Sequence, residues 1–484
     1  MSRQPFLPVG AAVVAGFLSP AALLAASVCV RPGDTACLPT IQAAVDQAGP
    51  GDVITVSPGV YYENVRVFGG EDQAGVQIVG ETPHTAVIDG SPYADRGIAG
   101  GDVALSIFAP NVVVRDIAFR NGLIGIQAGH IGGVFENLRF RGTDNPIIVY
   151  YASGIRITGS DFRDCWGCII VYGENAIIDR NTLQSGGYGI FFEHNAFPSR
   201  PRVTRNRLEG VQGGIDASFL IEPVVRNNVV RLSTGGISVS GINPIGERNE
   251  ISGGGGMVGH CSELNFEAGP GGDVPAECSR GLIANNTVTD SLSHGMWVTS
   301  SAPTLVVRDN ILSRGLGLTA YAAADEQTSQ PVLRIERNRV ANAGLYSERL
   351  FHLRGCFELQ NSAAELVSNT ALRCSGSGYY LNGFDNVLAS NIASDVAGSG
   401  LTVDGYIDPR TGTNYSHGNR LERNTATSNT AQGIAILNGA EITSVTENVA
   451  TDNHTDFCDE GLYTFASGNT FGTTGPCAIV RPGQ

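Results

Sequence analysis

The stretch GIFFEH, residues 189–194, ends an apolar run on a carboxylate and an imidazole, Glu193 and His194. Both groups can carry protons near neutral pH, and further candidates, Tyr172 and Asp216, stand in the stretches before and after it. Two carboxylates held a water's width apart are what hydrolysis of a glycosidic bond requires. A second candidate group lies further along, with His352 and Arg354 in RLFHLRG and Tyr380 and Asp404 in later stretches. A tyrosine, a histidine and an arginine that neutralises a uronate carboxylate would suit β-elimination or C5 epimerisation, which both begin by removing the proton beside that carboxylate. Tyr150, His260, Trp297 and Tyr321 add rings and polar tips that could bind a sugar.

Composition narrows the chemistry. All 31 basic residues are arginine, so Schiff-base and lysine-base mechanisms are excluded. A formal net charge of -15 argues against a nucleic-acid partner, because phosphate binding needs a basic face. Asp and Asn are plentiful, but no calcium-loop spacing and no metal-ligand set is read, and no cofactor is evident.

The elements that must position these groups are short strands. Sixty-three glycines and only 16% charged residues point to many turns between strands rather than to helices. After residue 110 the chain falls into similar lines, among them RNTLQSGGYGIFF, RNRLEGVQGGIDA and RNNVVRLSTGGISV. Each has a short strand, an asparagine turn and a strand usually opened by glycine. The turn asparagine recurs at Asn181, Asn206, Asn227 and Asn249, spacings of 25, 21 and 22 residues. That period suits one coil of a solenoid whose strands stack in parallel, with asparagine accepting left-handed backbone angles and bonding to its counterpart one coil away.

Counting the glycine as zero, positions one and three are apolar in coil after coil, as in Ile190 and Phe192 or Ile237 and Val239. They should face inward, and positions two and four outward. Glu193 then stands at outward position four and Asp216 at position two of the next coil, roughly 8 Å apart for coils about 4.8 Å apart. In RLFHLRG the same alternation places Phe351 and Leu353 inside and His352 and Arg354 outside. Insertions at 194–201, 260–280, 322–331, 355–364 and 405–418 all follow the glycine-led strand and should wall one side of it.

The N-terminus reads as an export signal, residues 1–26, with Arg3 before an apolar run broken by Pro8, Gly16 and Pro20. No membrane span is expected once it is removed, and the protein should be secreted or periplasmic. Ten cysteines fall into five local pairs, 29 with 37, 165 with 168, 261 with 278, 356 with 374 and 458 with 477, which suits disulfides in an exported chain. CWGC at 165–168 also has the form of a redox or metal motif, without a second ligand pair to accompany it.

The repeats, together with the opening TIQAAVDQAGPGDVITVSPGVYYENV at 40–65, resemble the right-handed parallel β-helix proteins of the pectate-lyase-like superfamily, with repeats of the kind found in NosD-like proteins. The resemblance covers essentially the whole chain after the signal. It implies an all-β fold, a single-stranded right-handed parallel β-helix with coils of about 22 residues and an N-terminal capping helix, forming one domain over 27–484. It also implies a sugar polymer lying along one outward sheet between loop walls, and it leaves calcium open, since similar lyases often hold it. The lysine and paired-aspartate signatures of the best-known enzymes are missing, so hydrolase, lyase and epimerase stay open, with a lean to the Glu193 and Asp216 pair. The other class is a non-catalytic carbohydrate-binding or surface-structural β-helix. Substrate and oligomeric state are not specified.

Overall fold

A computed structural model describes residues 25–90, 103–193, 199–261, 278–300, 305–322, 333–344, 355–360, 363–405, 416–441 and 443–477. Of the expected export signal only its last two residues are among them. The described chain is a right-handed parallel β-solenoid with three faces per coil. The first face stacks strands such as Ile177–Asp179, Arg202–Thr204 and Val224–Arg226 into an 18-stranded sheet. The second, with Arg207–Val211 and Val229–Arg231, and the third, with Ile215–Ile221 and Ile237–Ile242, belong to one 31-stranded sheet. They are joined because Asp161–Glu174 and Thr182–Phe192 run round the corner between these faces without a break.

Alternation builds the core. Inward residues of the third face, including Ile190, Phe192, Ile215, Ala217, Ile237 and Val239, are fully or almost fully buried in one continuous apolar cluster. Phenylalanines stack along the second face, Phe119 on Phe140 and Phe140 on Phe162, with ring centroids 4.9 and 5.0 Å apart. Position for position, each residue lies over its counterpart one coil away, so a side chain that suits one coil suits the next.

The turn between first and second faces divides the work expected of one asparagine between two residues. The left-handed angle belongs to the residue before it, Arg180, Arg205, Asn227 or Arg248, with φ of 56, 56, 55 and 55°. The asparagine itself is buried and forms a ladder. Asn227 is therefore the left-handed residue of its coil and Asn228 the ladder member, which changes the successive spacings to 25, 22 and 21 residues. Asn310 is typical. Its Oδ1 accepts from the backbone N–H of Asn286 at 2.9 Å and from the Asn286 amide at 3.0 Å. Its own Nδ2 donates to the Ile283 carbonyl at 2.9 Å and to Asn338 Oδ1 at 2.8 Å. The arginine of each RN pair points outward instead. Arg205 and Arg337 reach carboxylates one coil back, Asp179 at 2.7 Å and Asp309 at 2.8 Å. Burial raises the Asp179 pKa, but hydrogen bonds from Arg205 and Thr204 outweigh it and hold the carboxyl below the usual range.

The leading glycine of the third-face strand answers a close approach. A Cβ built on Gly236, whose φ is 61°, would lie 2.0 Å from the carbonyl oxygen of Gly256 in the next coil. Backbone cannot yield as a side-chain tip can. Gly236→Ala is expected to lower the unfolding free energy, read from urea melts, by more than the ~1–2 kcal/mol that the left-handed backbone alone costs; a urea midpoint equal to the parent's would contradict this.

The helix Ile41–Gln47 (α1) is the only α-helix among the described residues and caps the N-terminal end, burying Ile41, Ala44 and Val45. Thr40 accepts from Ala43 N–H, and the Glu63 carboxylate accepts from Ile41 and Gln42 N–H, so the helix start is satisfied from two sides. All ten cysteines pair as their spacing suggests. Cys261 with Cys278 ties together the ends of segment 262–277, and Cys477 brings the C-terminal stretch against Ala435 and Leu437. No helix among the described residues is long and apolar enough to cross a membrane.

Four of the five expected insertions follow third-face strands, those near 194, 262, 323 and 406. The fifth is corrected. Residues 355–360 are themselves a third-face strand, Gly355–Gln360, and the preceding insertion enters after the second-face strand Arg339–Ala341. Cys356 stands in the position that glycine holds elsewhere, and this hid the register.

Candidate functional site

The third face presents two outward columns, and the strand register orders them. Position four runs Tyr150, Tyr172, Glu193 and then, past a register shift, Ser240, His260, Thr299, Tyr321, Gln360 and Asn382. Position two carries Ile170, Phe191, Asp216, Ser238, Val258, Trp297, Thr319, Glu358, Tyr380 and Thr402.

The first group spans both columns on adjacent coils. Tyr150 and Tyr172 stack with centroids 5.2 Å apart, and Glu193 continues their column, its N–H bound to the Val171 carbonyl at 3.0 Å. Asp216 pairs in register with Phe191, one coil on and two residues before the Glu193 position. At parallel-sheet spacings that offset separates the two backbones by roughly 8 Å. Ser218 donates to Asp216 Oδ1 at 2.5 Å and meets Ser238 Oγ at 2.6 Å, which fixes the carboxylate's direction. Burial raises the Tyr172 pKa, with the Glu193 charge adding to it, so the phenol stays a neutral donor beside Glu193. His194 lies outside the described residues.

The second group changes membership. His352 and Arg354 also lie outside the described residues, and the strand that passes between Tyr321 and Tyr380 carries Phe357 and Leu359 inward with Glu358 and Gln360 outward. Phe351 and Leu353, expected inward on this strand, also lie outside the described residues, and the inward positions between Tyr321 and Tyr380 are filled by Phe357 and Leu359 instead. Glu358, which the sequence reading missed, is almost fully buried and accepts from Gln360 Nε2 at 2.7 Å. The alternation in CFELQ was the signal that could have found it. Tyr380 is buried and its hydroxyl donates to Asp404 Oδ2.

Between the groups, Trp297 and Tyr321 are each 39% exposed, and His294 packs edge-on to Trp297 at 4.6 Å. His260 is hydrogen-bonded to Thr299. Burial lowers the pKa of His260 against that hydrogen bond, and lowers that of His294 against the charge of Glu358. A depressed folded pKa means stability that is present above the ordinary histidine range and lost as pH falls through the folded value. Histidine-selective isotope labelling should show two of the eight imidazoles protonating below the ordinary midpoint near 6.5. Ordinary midpoints in His260→Asn-assigned and His294→Asn-assigned signals would refute it.

Among the described residues these two columns offer carboxylates, hydroxyls, amides and rings but no arginine. The described arginines cluster instead along the first and second faces in surface ion pairs, such as Arg314 with Asp290 and Arg334 with Glu365. Nor does any group of three or more His, Cys, Asp or Glu among the described residues gather closely enough to hold a metal ion.

Residues 105–244 match the family model described as a right handed beta helix region. No curated protein matches the chain. Among solved structures it is similar to the periplasmic alginate epimerase AlgG, at 12% identity over 80% of this chain and 84% of that one, TM-score 0.38. It is similar also to the A-module of an Azotobacter vinelandii mannuronan C-5 epimerase, at 12% identity over 90% and 95% of the two chains, TM-score 0.29. The catalytic domain of a GH87 alpha-1,3-glucanase, determined with tetrasaccharides, is similar at 10% identity over 92% and 68%, TM-score 0.34.

Proposed function

We propose that the chain is an exported enzyme that binds a neutral polysaccharide along the outward columns of the third face and cleaves it by hydrolysis. The register of Asp216 beside Phe191 carries this reading, because it leaves Glu193 and Asp216 on one open face at a separation suited to an acid and a base working through a water molecule. In this reading Glu193 protonates the leaving oxygen, with the neutral Tyr172 phenol at its side, and Asp216, aimed by Ser218, takes the proton of the attacking water. Tyr150, Trp297, Tyr321 and His260 contact the sugar chain beyond the cleaved bond. A face bearing Glu193, Asp216, Glu358 and Asp404 repels a polyanion, which favours neutral glycans over uronates.

The test is incubation of the purified protein with neutral glucans and xylans and with uronate polymers, following reducing ends and the absorbance of unsaturated products. Reducing ends from a neutral polymer support the proposal. Unsaturated or epimerised uronate products would replace it with a lyase or an epimerase, and binding without any product would leave a carbohydrate-binding protein.

A further inference from the structure

The CWGC segment is unused by the site described above, and its geometry is unusual for a redox motif. Cys165 and Cys168 are bonded to each other and buried, 3% and 0% exposed, whereas Trp166 between them is 60% exposed. The backbone N–H groups of Trp166 and Gly167 both donate to the Asp144 carbonyl, at 2.7 and 3.0 Å. The disulfide and these two bonds hold this corner of the strand while turning an indole outward, the reverse of what a thiol exchanging with partners needs.

What the indole faces is a cleft of about 690 Å3 at the corner between second and third faces. Its floor is bare backbone. A Cβ on Gly187 would lie 2.4 Å from the Trp166 carbonyl oxygen, and one on Gly213 would lie 3.0 Å from the Tyr188 ring. Trp166 and Tyr188, the latter 48% exposed, pack edge to face at 5.2 Å on one side. Asp164, Gln212 and Thr234 supply an exposed carboxylate, amide and hydroxyl around the remainder. The rings also continue toward the proposed reaction site, because Tyr188 lies 5.9 Å from Phe191, the register neighbour of Asp216.

We propose that this corner cleft is a second carbohydrate-binding subsite, which takes a neutral pyranose unit of a glycan chain. A pyranose has apolar faces of C–H bonds and a rim of hydroxyls. Held rings that are apolar in body and wet at the edge suit the faces, and amide, carboxylate and hydroxyl groups suit the rim. The step from Trp166 through Tyr188 to Phe191 leads a bound chain across the solenoid corner to Glu193 and Asp216. That last step rests on the hydrolytic reading, whereas binding in the cleft does not.

The experiment therefore reads binding alone, in the Glu193→Gln background so that ligand stays intact whether or not the parent cleaves it. The probes are glucose and xylose hexasaccharides. Trp166 and Trp297 are the chain's two tryptophans, so Trp297→Phe leaves Trp166 as the only indole reporter. A saturable change in its fluorescence is expected with at least one probe, and none from free tryptophan amide at the same probe concentrations. By calorimetry, Trp166→Ala should weaken binding by about tenfold or more and Gln212→Ala should weaken it less. Both side chains are exposed, so unchanged circular dichroism is expected in each variant. Parental affinity in Trp166→Ala, or no fluorescence response to any probe, overturns the proposal; a parent with native Glu193 that cleaves no neutral glycan, while Trp166→Ala still weakens binding, sinks only the hydrolytic reading.

Discussion

Replacing Glu193 by Gln is expected to lower the rate of neutral glycan hydrolysis by about 10²–10⁴-fold, the usual worth of a positioned general acid. The amide keeps the shape and hydrogen-bonding reach of the carboxyl but cannot give up a proton to the leaving oxygen. The loss should therefore fall on kcat with KM nearly unchanged. Asp216→Asn should lose activity on the same scale, since the amide cannot take the proton of the attacking water. Ser218→Ala removes only the hydroxyl that directs Asp216 Oδ1, and its effect should be smaller than either. Activity of Glu193→Gln within tenfold of the parent would remove Glu193 from the reaction, and would leave Glu358 or Asp404 as the carboxylates to test next.

The largest structural effect is expected from Asn310→Asp. The new carboxyl can still accept from Asn286, but its second oxygen replaces the Nδ2 that donates to the Ile283 carbonyl and to Asn338 Oδ1. Two buried acceptors would lose their donor and face an oxygen instead, and Asn310 is 0% exposed, so water cannot enter to help. At about 1–3 kcal/mol for each stranded group, with a buried charge added, the loss at pH 7 should be at least ~3 kcal/mol. Burial raises the pKa of such a carboxyl in the folded state, so the folded form is relatively favoured below the ordinary carboxylate range and penalised as pH rises through it. The urea midpoint of the variant should accordingly lie closer to the parent's at pH 4 than at pH 7. Because each coil touches only its neighbours, the variant can also unfold in two stages around the damaged coil. A parental midpoint at pH 7 would show that the ladder contributes little.

The repeats made the solenoid readable because in this fold a residue's environment is set by its place in the coil. Position one or three of a glycine-led strand faces inward in every coil, so Ile190, Phe192, Ile237 and Val239 could be placed without knowing what lay around them. The same logic found the asparagine turn but not its division of work. RNN at 226–228 contains two asparagines, and only the backbone angle separates left-handed Asn227 from the buried Asn228. The logic failed where the signal itself was absent. With Cys356 in place of the leading glycine and an insertion before it, the alternation in RLFHLRG was assigned to the strand that CFELQ fills, and Glu358 was passed over.

Sequence alone determined the properties that repeat or depend only on neighbours along the chain: the parallel solenoid, its apolar interior, the capping helix Ile41–Gln47 and the five local cysteine pairs. The tertiary structure decided what depends on the meeting of different coils. It set Asp216 beside Phe191 and Glu193 beside Tyr172, joined Tyr380 to Asp404, and turned Trp166 toward Tyr188 across a floor of glycines. The physical reason is that a period is carried by every coil and survives local irregularity, whereas a contact between coils depends on the number of residues inserted between them. One insertion of unmarked position is enough to shift every outward side chain of the strand that follows it.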